Sequence, residues 1–231
     1  MLLANHMLNT FKCSFITISL LERALPQTAW KFMKMINQRK LSIESFSYYI
    51  NAESTEFIPR ILDECTEVTD YIVVKATFPD DFLYTPPRPF KAKYLSAWET
   101  SNWLNLESSL NCRDVSVDLD KISNRTTETY SLFFSKWMDS DTPLQKLTFY
   151  SIEEPEYRKI MDALSNQGTK RIIDEHWIEV TRRNESKLFI NTLHKLIFIY
   201  TEQAYLEKLK WDEEQELAEK LSTSLQVQEC Q

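Results

Sequence analysis

Apolar positions along this chain follow two periods that take turns. Residues at i, i+3, i+4 and i+7 line one face of a helix. Four segments carry that stripe: Ala29, Phe32, Met33 and Ile36; Ile58, Ile61, Leu62 and Cys65; Tyr130, Phe133, Phe134 and Trp137; and Tyr157, Ile160, Met161 and Leu164. Trp103, Leu106 and Leu110 give a shorter version, with Ser101 placed to cap it. Pro155 suits a first helical turn, as does Pro59 with Thr55 as the cap. Between the stripes lie strand-like runs. Tyr71 to Val74 is nearly continuous and β-branched, as a buried strand is. Val115, Val117 and Leu119 alternate with polar residues, as do Leu147 and Phe149. Lys93 to Ala97 and Leu41 to Ile50 are further candidates, and in Phe11 to Leu21 apolar residues again alternate with polar ones.

Strands that alternate with helices must be re-entered from the same end, which makes the sheet mainly parallel. Strand starts at Tyr71, Tyr94, Val115 and Leu147 fall at the spacing of repeat units. The expected fold class is therefore α/β, a leucine-rich-repeat-like βα array, with an open doubly wound sheet as the alternative. Phe78 to Phe90, with Pro79, Pro86, Pro87 and Pro89, reads as one ordered insertion or a unit boundary. The last third changes character. Trp177 to Thr181 and Lys187 to Ile190 read as two strands around a turn at 182–186, and Leu196 to Tyr200 as a third. From Glu202 on, good helix formers continue without Gly or Pro, with Leu217, Leu221 and Leu225 on one face and Glu216 four residues before Lys220. The acidic group Asp212, Glu213, Glu214 and Glu216 reads as a solvated face. The division expected is an N-terminal segment over 1–40, a βα repeat domain over 41–200 and a C-terminal helix over 201–231.

Composition narrows the function classes. With 231 residues, 43% of them hydrophobic, the chain can bury one sizeable core. The formal net charge of −7 repels phosphate backbones, so nucleic acid is not an expected partner. Gly168 is the single glycine. Phosphate-cradling loops need several glycines, because the backbone must turn tightly and approach its ligand closely. A P-loop, a GxGxxG site, a kinase glycine-rich loop and a nucleophile elbow are thereby excluded. Cys13, Cys65, Cys112 and Cys230 have no metal-ligand or CxxC spacing, which points to reduced thiols in a cytoplasmic or nuclear protein. Phe11 to Leu21 is too short and too polar for a membrane span, and no membrane association is expected; Lys12 at its start and Ser14, Thr17 and Ser19 within it make a buried strand the better reading, with a secretory signal as the lesser alternative. The sequons at Asn124 and Asn184 would matter only after secretion.

Candidate chemistry is sparse. His6, His176 and His194 sit in no ligand pattern. Asp174-Glu175-His176 has the makings of an acid–base cluster, and Cys112 those of a nucleophile beside acids, but a turn and core packing explain them better. No catalytic, cofactor-binding or metal-binding residue is expected, and no partner-binding residue can be named.

Residues 90 to 200 resemble a known domain. Tyr94-Leu95-Ser96-Ala97-Trp98-Glu99-Thr100 is followed by Asn111-Cys112, then Phe133-Phe134-Ser135-Lys136-Trp137, then Trp177-Ile178-Glu179-Val180-Thr181-Arg182-Arg183-Asn184. These Trp, Asn-Cys, Phe-x-x-x-Trp and Thr-Arg-Arg landmarks resemble, in order, those of the F-box-associated domain of the large nematode family of F-box proteins. The resemblance implies a protein-interaction domain and not an enzyme: the part of a cullin-type ubiquitin ligase that recognises the protein substrate. It implies no cofactor, and a Skp-type adaptor and a cullin as partners where an F-box is present. The chain departs from the family in two places. The family's F-box opens with Leu-Pro, which Leu25-Pro26 echoes, but the associated domain follows too closely for a full F-box. A stand-alone binding protein related to the family, a truncated relative without a ligase role, is the alternative, and an enzyme on an α/β scaffold ranks far below both. In the turn after Thr-Arg-Arg-Asn, where the family has Gly, this chain has Glu185.

Overall fold

The computed structural model describes residues 15–21, 24–49, 56–79, 82–119 and 124–229, with His6 and Leu8; from residue 221 only the backbone is described. Among the described residues ten strands form one sheet in the order β1-β2-β3-β4-β5-β6-β10-β9-β8-β7. The first six are β1 (Ile16–Leu20), β2 (Ile43–Tyr48), β3 (Tyr71–Ala76), β4 (Tyr94–Glu99), β5 (Asp114–Asp118) and β6 (Lys146–Tyr150), and each pairs in parallel with the next. The other four, β7 (Thr169–Ile172), β8 (Trp177–Thr181), β9 (Lys187–Leu193) and β10 (Leu196–Thr201), form an antiparallel meander that joins the parallel half through β10 against β6. The α/β class and the mainly parallel sheet agree with the expectation. A doubly wound sheet needs a reversal of strand order near its centre, and the parallel strands run in sequence order without one.

Four helices connect the strands: α1 (Pro26–Gln38), α2 (Ile58–Cys65), α3 (Thr127–Asp139) and α4 (Glu154–Ser165). Their apolar stripes are the expected ones, and Met33, Ile36, Ile61, Cys65, Phe134, Ile160 and Leu164 are all buried. Neighbouring helices pack side by side, α1 on α2 and α3 on α4, so each pair lies in one layer. The strand residues that meet this layer form one continuous cluster across the sheet, including Phe46, Ile72, Leu95, Val115, Leu147, Ile199 and Ile190, which are cross-strand partners in that order. β1 and α1 belong to the same sheet and the same core, so the expected break at residue 40 does not interrupt the fold.

The structure differs from the sequence reading in three places. The stripe at Trp103, Leu106 and Leu110 forms a single 3-10 turn over Leu106–Ser109, capped by Asn105 and not Ser101. Asn105 Oδ1 accepts the Glu107 N–H at 3.0 Å, which starts the turn after Trp103 and leaves no length for an α-helix. Strand β7 had no hydrophobic signal, since all four of its residues are exposed, with Lys170 and Arg171 on the sheet edge. In α2 the helix begins at Ile58 behind Phe57 without a side-chain cap, and the expected cap Thr55 lies outside the described residues. The strand reading of Phe11 to Ser14, with Cys13, and the residue Cys230 lie outside them too.

The turn between β8 and β9 holds a side chain where the backbone favours glycine. Glu185 sits there with φ at 68°, in the left-handed region, while its N–H donates to the Arg182 carbonyl at 3.0 Å. A side chain costs about 1–2 kcal/mol in that conformation, and glycine costs almost nothing. Part of that gain is offset by the freer unfolded chain. Glu185→Gly is therefore expected to stabilise the fold by about 0.5–1 kcal/mol, which reversible chemical denaturation reads as a higher midpoint.

Candidate binding face of the sheet

Alternation along each strand leaves a second face that the helices α1 to α4 do not cover. Its residues form rows across the parallel strands. One row runs Ser45, Tyr71, Tyr94, Asp114 and Lys146, and continues into Tyr200 of β10. The next runs Ser47, Val73, Ser96, Ser116 and Thr148, and continues into Phe198. Nearer the C-terminal ends of the strands stand Lys75 and Trp98, paired with each other, and Asp118 and Tyr150, likewise paired. From β4 to β6 the middle row is a floor of small hydroxyl side chains, Ser96, Ser116 and Thr148, with Val73 beside it on β3, and aromatic rings rise on both sides. Tyr71 and Tyr94 face each other at 5.6 Å between centroids on one side, and Trp98 and Tyr150 at 4.7 Å on the other. The rings shelter the floor, so Thr148 is only 1% exposed while Tyr71 keeps 39%.

The half of the face over the meander is closed. The helix α5 (Glu202–Glu229) starts directly after β10. Its Tyr205 stacks on Phe189 at 4.1 Å and meets the edge of Trp177 at 4.7 Å, which builds a second, small aromatic core with Tyr200. Glu207 of α5 reaches Arg113 beside β5, with 3.2 Å between Arg113 Nη2 and Glu207 Oε2. α5 therefore bounds the open part of the face on its β5–β6 side.

Charge on the face is uneven. Burial raises the Asp114 carboxyl above its ordinary value, Lys146 and Arg113 counter this, and Glu207 adds to it. Lys146 Nζ also sits over the rings of Phe198 and Tyr200, at 5.7 and 5.5 Å. At the opposite rim, Asp118 accepts the Glu99 N–H on Oδ2 at 3.3 Å. Its Oδ1 is buried and has no hydrogen-bond partner among the described residues.

The residues weighed as chemistry have structural places. Asp174 Oδ1 accepts the N–H groups of His176 and Trp177 at 2.8 and 2.9 Å, which makes Asp174-Glu175-His176 an exposed turn between β7 and β8. Cys112 lies in the core, and burial pushes its thiol up to about 12; Cys65 is raised in the same way. No group of three metal-capable side chains occurs among the described residues, and none of the described helices is long and apolar enough to cross a membrane.

The landmarks of the resemblance divide by role. Trp137 donates its Nε1–H to the Leu144 carbonyl at 2.8 Å and packs on Phe133 in the core. Arg182 ties the β8–β9 turn to the end of α3, through the Ser135 carbonyl at 3.3 Å and the Asp139 carboxylate. Trp98 alone among them stands on the uncovered face in the parallel half. A signal for this face exists in the strand pattern: Tyr94, Ser96 and Trp98 share one parity in β4, opposite to the buried Leu95 and Ala97. Aromatics in the polar phase of a strand mark it. The fold and the face together define a mostly parallel α/β protein with one uncovered aromatic sheet surface. No protein-family model matches the chain, and neither a curated protein nor a solved structure matches it.

Proposed function

We propose that this protein is a protein-interaction module that takes its partner on the uncovered sheet face, and that it serves as the substrate-recognising part of a cullin-type ubiquitin ligase. The observation that supports the interaction reading is the face itself. A run of half-exposed aromatics beside a hydroxyl floor is costly to leave in water, and aromatic-rich surfaces of this kind are enriched where proteins meet. The ligase part rests on the resemblance. A second reading, a binding module without an adaptor, is favoured by the use made of the N-terminal residues. Leu25-Pro26, the echo of an F-box opening, starts α1, and Met33 and Ile36 of that helix are buried in the sheet's core.

The test is positional crosslinking in the intact chain. A benzoylphenylalanine at Tyr71 on the face is compared with one at Leu132, which is 65% exposed on α3. A partner crosslinked from position 71 and not from 132 is the expected result; equal capture from both counts against the face. Co-purification of a Skp-type adaptor and a cullin with the same chain supports the ligase reading. A partner captured without them leaves the stand-alone module.

A further inference from the structure

We infer that the rim formed by Trp98, Asp118 and Tyr150 receives an arginine side chain presented by the partner polypeptide. This inference rests on the reading of the face as a partner-binding surface and names the chemistry of what binds there.

The three side chains come from adjacent strands, Trp98 from β4, Asp118 from β5 and Tyr150 from β6. The two rings span the strand between them, with centroids 4.7 Å apart and planes tilted by 46°. Asp118 lies on that intervening strand, directly paired with Tyr150. Its carboxylate is held on one side by the Glu99 N–H, while the other oxygen is dry and unpartnered among the described residues. None of the described ion pairs reaches it: the nearby Lys75 ammonium stands 3.9 Å from Glu99 Oε1 instead. The backbone around the pair is also strained. Trp98 is followed by Glu99 at φ 69°, and Tyr150 by Ser151 at φ 56°. Left-handed side-chain-bearing residues are costly, and two of them stand at the ends of β4 and β6, the strands on either side of β5, beside the same pair of rings.

A half-buried carboxylate with one dry oxygen and no ion pair among the described residues makes the aromatic surface beside it negative. A cation laid on that surface is drawn by the ring faces and by the charge together. The guanidinium of arginine suits the place better than an ammonium. It is flat, so it stacks on indole and phenol rings; it is weakly hydrated, so it leaves water easily; and it presents a fork of donors to a carboxylate. Ser96 and Ser116, cross-strand partners beside Trp98 and Asp118, offer hydroxyls to the backbone of a segment that crosses the strands. The chain's net charge of −7 adds long-range attraction for a basic partner.

The probe is N-acetyl-arginine amide, with N-acetyl-citrulline amide as its neutral isostere, titrated against the full chain carrying 5-fluorotryptophan. The Trp98 fluorine resonance is assigned by Trp98→Phe. The expected result is a saturable shift of that resonance by the arginine probe and about tenfold weaker binding of the citrulline probe. In Asp118→Asn the arginine response falls to the citrulline level, while the other tryptophan resonances stay in place and report an intact fold. Equal binding of the two probes, or an unchanged arginine response in Asp118→Asn, overturns the inference. The two readings fail separately. The probe decides the arginine assignment with no partner present, and crosslinking from position 71 decides whether the face is an interface.

Discussion

Replacing Gly168 with alanine is expected to destabilise this protein by about 2–3 kcal/mol, against the usual direction for such a change. At a position where glycine has an ordinary φ, alanine commonly stabilises by about 0.4–1 kcal/mol, because it restricts the unfolded chain. Gly168 has such a φ, since no glycine of the chain lies in the left-handed region. The reason for glycine is contact. A Cβ there would stand 2.2 Å from the Thr181 carbonyl oxygen, 2.7 Å from its carbon and 3.1 Å from the Arg182 Cα. All three are backbone atoms, so no side-chain rotation relieves the clash. The neighbouring Thr169 pairs with Thr181 in register, and β7 must lift off β8 to admit the methyl group. Arg182, next to the clash, anchors the meander to α3, so the displacement reaches the helix layer. The denaturation midpoint of Gly168→Ala decides between the two effects: a fall shows contact dominating, and a rise would show the entropy term dominating and remove this account of the glycine.

The second large effect is expected at Trp103. Trp103→Ala should cost about 3–5 kcal/mol, in the range for emptying a buried aromatic site. The ring is 1% exposed and meets Phe78 edge-on at 5.8 Å and Tyr84 at 6.3 Å. Its Nε1–H donates to the Thr100 carbonyl at 2.9 Å, and the Thr100 hydroxyl accepts the Phe78 N–H at 3.0 Å. The Trp103 carbonyl accepts the Tyr84 N–H at 3.1 Å. Through these contacts one side chain holds the proline-rich segment between β3 and β4, which stands where the two preceding crossovers place α1 and α2. Limited proteolysis gives the local readout. Cleavage within Phe78 to Phe90 should appear in Trp103→Ala before the remainder unfolds, while Trp103→Phe should keep most of the protection. Cleavage no faster than in the parent chain would mean that the segment is held by other contacts.

Much of the fold was legible because each of the helices α1 to α4 carries a full apolar stripe with no glycine in it. The stripe Tyr130, Phe133, Phe134 and Trp137 is buried as a unit in α3, and the Tyr71 to Val74 run lies in β3. What escaped the reading had no hydrophobic signature. β7 is a strand because β8 offers it hydrogen bonds, and its own residues are all exposed. The Trp103 stripe stayed one 3-10 turn because Asn105 starts the turn two residues after Trp103, a competition between side chain and backbone that periodicity does not weigh. The face was only half legible. Parity in β4 places Tyr94 and Trp98 together, but the meeting of Trp98 with Tyr150 across β5 depends on strand order, which the alternation of elements suggests without specifying register. Asp118 gave no signal, because its distinction is one dry oxygen.

The strand order also sets a timetable for biosynthesis. β6 ends at Tyr150, yet its second neighbour, β10, begins only at Leu196. During translation, at roughly 5–20 residues per second, β6 therefore emerges as a bare edge and stays one for a few seconds while α4, β7, β8 and β9 are made. The last strand to leave the ribosome is the one that seals the centre of the sheet, with Ile197 and Ile199 against Phe149 and Leu147. A nascent chain arrested before Leu196 presents this central apolar edge to any other strand in reach, so stalled translation products of this protein are clients for a ribosome-associated chaperone or seeds for aggregation.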